Sequence, residues 1–138
     1  MSTHEERRGN APSRTDIFKI FDETQKKSGI FSENLLTREE FARLLGINRK
    51  TMYRWEVKLI FKVSPLAIAY LNKDSPRSLY LDNFQRFVIA LIFCLRNSPS
   101  YGYDTNQILR FLRLNFMQLK REQFNNWIQS FNKENTNV

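Results

Sequence analysis

The sequence predicts a mainly α domain, a winged helix-turn-helix with a small β-hairpin and a C-terminal dimerisation helix. Residues 37–58 place two cap signals, one glycine and a set of apolar positions where two short helices joined by a tight turn need them. Residues 59–71 and 77–81 are rich in strand-forming side chains and flank a turn, and residues 115–131 carry an apolar stripe near heptad spacing.

In chain order, residues 1–12 are polar, contain Gly9 and Pro12 and show no apolar period, which predicts a tail. Residues 13–36 form an N-terminal helix and a connector. Ile17, Phe18, Ile20 and Phe21 supply an apolar face over 13–28, Ser13 or Thr15 caps it, and Gly29 closes it.

Residues 37–81 make the helix-turn-helix and wing. Thr37 can cap the first free amides of a helix while Glu40 reaches back to the cap amide, just before an apolar run. Phe41, Leu44 and Leu45 fall on one face at helical spacing, and Ala42 is small enough for a close helix approach. Gly46 suits the left-handed conformation that reverses the chain, Ile47 turns back inward, and Asn48 caps the next helix. Met52 and Trp55 are its inward positions. Asn48, Arg49, Lys50, Tyr53, Arg54, Val57 and Lys58 are left near its start or along its outer face.

That outer face has the chemistry to bind double-stranded DNA. Arginine pairs with guanine edges, lysine neutralises phosphate, and asparagine or tyrosine hydrogen-bonds bases or backbone, from a helix narrow enough for the major groove. The simpler alternative is an ordinary helical hairpin with a solvated basic face. For the wing, residues 59–71 and 77–81 read as two strands about a turn at 72–76, placing Lys73 and Arg77 beside the DNA backbone, where they add affinity and register. A competing reading makes residues 65–71 a short helix, since Ser64-Pro65 is a good helix start.

Residues 82–114 form a helical pair completing the DNA-binding unit. Asp82 caps a helix that is apolar nearly all round in its second half and so is expected to be buried on more than one side. A loop over 97–103 leads to a helix opened by Asp104 or Thr105. Residues 115–138 make a dimerisation helix and a frayed end. Met117, Phe124 and Phe131 recur every seven residues, with Trp127 and Ile128 between them. The same stripe could close the chain's own core; as a dimer interface it would pair two copies.

The charge agrees with a polyanionic partner. Lysine and arginine number 22 against 14 acids, for a net charge of +8 and a pI near 9.9. Seven bases and three acids between Arg38 and Lys62 concentrate half of that excess on the helix-turn-helix. Cys94 is the only cysteine, which excludes a disulfide framework and a cysteine-rich metal site and fits a reducing cytoplasm, with the protein on the nucleoid. The continuous apolar run at 87–95 is too short to span a bilayer, so no membrane partner is expected. An enzyme is not expected either. His4, the one histidine, lies in the tail, no nucleophile-base-acid set forms, and no glycine-rich phosphate loop occurs.

The order of these pieces resembles the MerR family of transcription regulators: a helix-turn-helix, then Arg77-Ser78-Leu79-Tyr80, then Asp82 opening a helix with Phe84 and Phe87, a glycine-containing loop, and Gln107-Ile108-Leu109-Arg110-Phe111-Leu112-Arg113. The likeness covers residues 36–114. The compact form is also similar to the small MerR-type repressors that accompany CRISPR-associated transposons. The resemblance implies that Arg49, Lys50, Tyr53 and Arg54 read the groove, that Arg77 of the wing contacts phosphate, and that the last helix pairs a homodimer on an inverted repeat. With one cysteine and no ligand cluster, no metal, cofactor or small-molecule effector is expected, and repression is the simpler mechanism. The alternative function is a protein-binding adaptor, with the helix-turn-helix as scaffold and the aromatic C-terminal helix docking a partner.

Overall fold

The computed structural model describes residues 11–21, 36–71 and 79–136, with side chains as far as residue 130. The described elements are β1 (Leu36–Thr37), α1 (Arg38–Leu45), α2 (Arg49–Lys58), α3 (Ser64–Tyr70), β2 (Tyr80–Leu81), α4 (Asn83–Asn97), α5 (Thr105–Leu114) and α6 (Arg121–Thr136), with short 3-10 turns at Ile17–Ile20, Ile60–Lys62 and Phe116–Gln118. The fold is mainly helical with one two-stranded antiparallel sheet.

The core is organised around α4. Phe87, Val88, Ile89, Ala90, Leu91, Ile92 and Leu95 are all buried, so this helix is covered on nearly every side, as its composition predicts. It is in contact with α1, α2, α3, α5, β2 and the first 3-10 turn. Arg86 is also buried there, donating to Asn83 Oδ1, and burial pushes its pKa below the ordinary guanidinium value against the opposing charge of Asp82.

Local signals are realised at the helix starts. Reciprocal capping boxes open α1 (Thr37 with Glu40), α4 (Asp82 with Gln85) and α5 (Asp104 with Gln107). Gly46 has φ 77°, and the Gly46 and Ile47 amides donate to the carbonyls of Arg43 and Ala42, closing α1. Asn48 Oδ1 accepts from the Thr51 amide at 2.8 Å and starts α2. Leu44 departs from its inward placement. The buried face of α1 runs through Phe41 and Ala42 toward Leu45, which rotates Leu44 outward to 45% exposure.

The sheet is not the expected hairpin. Residues 64–70 of its first strand are helical, and β2 instead pairs with β1: Leu36 lies opposite Leu81 and Thr37 opposite Tyr80. The reason is visible around α3. Pro65 occupies its first turn, where a missing amide costs nothing, and Leu66 and Tyr70, one turn apart, are both buried. Its final carbonyls are also taken. Arg121 donates to Ala69 O at 2.7 Å and to Tyr70 O at 3.2 Å, and Gln85 donates to Tyr70 O at 2.9 Å.

The N-terminal segment differs as well. A helix expected from residue 13 is replaced by non-helical backbone leading into one 3-10 turn capped by Asp16. Asn115 and Gln118 hold it in that form: Asn115 Oδ1 accepts from Thr15 N at 2.9 Å, Asn115 Nδ2 donates to Ser13 O at 3.0 Å, and Gln118 accepts from Ile17 N and donates to Thr15 O. Two amide side chains thus satisfy backbone that a helix would have satisfied internally. The expected continuation of that helix through residue 28 lies beyond the described residues.

Part of the C-terminal stripe is buried within this same chain. Phe124 and Ile128 are buried, and Trp127 stacks with Phe18 and packs at 5.7 Å from Phe87. Phe124 also packs on Phe84 and Phe87, while Trp127 keeps part of its surface exposed. Met117 is 60% exposed and belongs to a separate 3-10 turn, because the chain breaks at Leu119 before α6 begins. The side chain of Phe131 lies outside the described residues.

Candidate nucleic-acid interface

Helix α2 has two faces of opposite character. Met52, Trp55 and Glu56 are buried against the domain, while Asn48, Arg49, Lys50, Tyr53, Arg54, Val57 and Lys58 are exposed. The sequence-predicted residues of α2 thus share one exposed face. Arg49, Lys50, Tyr53, Arg54, Val57 and Lys58 line a shallow depression of about 520 Å³ along it. Among the six, four are cationic, and Tyr53 and Val57 form an apolar strip between them. Lys73 and Arg77, the wing candidates, lie outside the described residues.

The inner side of α2 carries a polar network that the spacing of its apolar residues does not announce. Glu56 is 4% exposed, and its Oε2 accepts from Arg38 Nη1 at 2.6 Å and from the Tyr70 hydroxyl at 2.6 Å. The last turn of α2 is thereby tied to the first turn of α1 and the end of α3. Burial opposes the charge of Arg38, but the hydrogen bond and charge of Glu56 outweigh it and raise its pKa above the ordinary guanidinium value. Burial first, then the Glu56 charge, pushes the Tyr70 phenol well above its usual range. One signal was available: Glu56 follows Met52 by four residues and Trp55 by one, so it falls on the inward face.

Beside this network lies a cleft of about 320 Å³ whose walls include Arg38, Arg49, Tyr53, Phe61 and Leu71, with Glu56 and Gln85 deeper in. Arg49 and Tyr53 thus border both the cleft and the outer face of α2. Chemically, the outer face offers guanidinium and ammonium donors to phosphates and base acceptors, a phenol that can donate, and no exposed acid on α2. Elsewhere, no group of three or more His, Cys, Asp or Glu side chains placed to hold a metal occurs among the described residues, and no described helix is long and apolar enough to cross a membrane. Cys94 is buried in α4.

Comparison with known proteins finds no matching family, curated protein or solved structure.

Proposed function

We propose that this chain is a sequence-specific regulator of transcription that binds double-stranded DNA by inserting α2 into the major groove, acting as a homodimeric repressor on an inverted repeat. One observation carries the reading: the exposed face of α2 presents Arg49, Lys50, Arg54 and Lys58 with no acid among them, while its opposite face is fixed by Met52, Trp55 and Glu56 to the rest of the domain. A rigidly held basic helix is what groove readout requires, because base discrimination depends on side chains arriving at fixed positions.

The net charge of +8 supports the same partner. The resemblance of residues 36–114 to MerR regulators points to the same partner. A dimer on such an operator would use a surface other than Phe124 and Ile128, which this chain buries itself.

The test is selection of bound fragments from a random duplex library with the purified protein, followed by footprinting of the selected duplex at two salt concentrations. The expected result is an inverted-repeat motif bound with a steep salt slope. Recovery of no motif would remove the proposal.

A further inference from the structure

Val57 is 38% exposed and Tyr53 is 67% exposed, and they stand one helical turn apart on the outer face of α2. Single exposed apolar side chains are ordinary on protein surfaces. This pair differs in its surroundings, since Arg49 and Lys50 lie before it, Arg54 between its members and Lys58 after it, all lining the same depression. A duplex drawn in by those cations would press the apolar strip against it. Val57 has no donor or acceptor, so it gains nothing from a phosphate and loses by covering a polar base edge. The major groove presents one apolar group among its standard base edges, the C5-methyl of thymine.

We infer that Tyr53 and Val57 form a thymine-reading strip, packing on C5-methyl groups in each half-site while the flanking cations hold the backbone and guanine edges. This rests on the DNA-binding reading and deepens it by naming a base that α2 selects. Residues four apart on a helix are separated by about 6 Å along its axis, roughly two base-pair steps, so the strip spans neighbouring bases. Cytosine at the same place would put an amino donor against Val57 and be rejected.

The experiment uses the full chain and the duplex recovered by selection. Each thymine in the site is replaced in turn by deoxyuridine, which lacks only the methyl group, and affinity is measured by fluorescence anisotropy. At least one thymine per half-site should weaken binding about fourfold on replacement, the loss expected for one buried methyl. In the double variant Tyr53→Ala, Val57→Ala that penalty should vanish, with both duplexes bound equally. Both positions are exposed on a helix and alanine favours helix, so the variant retains its fold. A selected motif with no uracil penalty at any position, or a penalty unchanged in the double variant, overturns the thymine strip alone. Failure to select any motif overturns it together with the DNA-binding reading.

Discussion

Arg38 Nη1 lies 2.6 Å from Glu56 Oε2, and that ion pair joins the first turn of α1 to the last turn of α2. The carboxylate is buried and the guanidinium half-buried, so the pair is screened far less than a surface one.

Removing the carboxylate should therefore be costly. Glu56→Ala leaves Arg38 without its counter-charge and the Tyr70 hydroxyl without its acceptor, and should destabilise the fold by about 3 kcal/mol in urea denaturation. A double-mutant cycle with Arg38→Met should return a coupling above about 1 kcal/mol. Additive losses would show that the two side chains do not act together.

Tyr70 predicts a pH dependence with a definite sign. Its phenol pKa is raised in the folded state, so its contribution is fully present below the unfolded phenol's pKa of about 10 and is lost as pH rises from there toward the folded value. Ultraviolet titration should find a tyrosine ionising well above the usual phenol range, and Tyr70→Phe should remove both that late step and part of the alkaline loss of stability.

The Thr37 cap makes an acid-side prediction. Backbone and side-chain hydrogen bonds with Thr37 hold the Glu40 carboxyl below its usual range, so their support of α1 is present above that range and lost as pH falls through the depressed value. Thr37→Ala should move the Glu40 titration back toward the ordinary carboxylate position in a carbon-13 NMR experiment and cost about 1 kcal/mol of stability.

For the DNA reading, Arg49→Ala with Arg54→Ala should abolish detectable binding to the selected duplex and change unfolding free energy by less than about 0.5 kcal/mol per site, because both side chains are exposed. Retained binding with an unaltered salt slope would show that α2 is not the contacting helix.

Phe124 tests where the C-terminal stripe is used. Phe124→Ala should cost about 3–5 kcal/mol, equally at low and high protein concentration, since its ring packs on Phe84 and Phe87 of the same chain. A cost that grows on dilution would mean that the ring serves an intermolecular contact.

What the sequence determined by itself is mostly what has its partner within a turn of chain: the Thr37–Glu40 capping box, the helix starts at Asp82 and Asp104, the Asn48 cap, the left-handed Gly46, and the basic outer face of α2, which follows from Met52 and Trp55 marking its inner one. Such features close hydrogen bonds over three or four residues, so composition and spacing suffice to state them. Tertiary structure decided the rest. Residues 64–70, which read either as strand or, from the Ser64-Pro65 start, as a short helix, are helical: Gln85 and Arg121 bond their last carbonyls and Leu66 and Tyr70 find a buried side. Residues 13–16 stay non-helical because Asn115 and Gln118 take their backbone groups, and Trp127 of the heptad stripe turns toward Phe18 and Phe87. Glu56 became a buried anchor only because Arg38 and Tyr70 arrive from separate helices. In each case the deciding energy is held by a partner distant in the chain, and a periodic pattern specifies which side is apolar without specifying what will cover it.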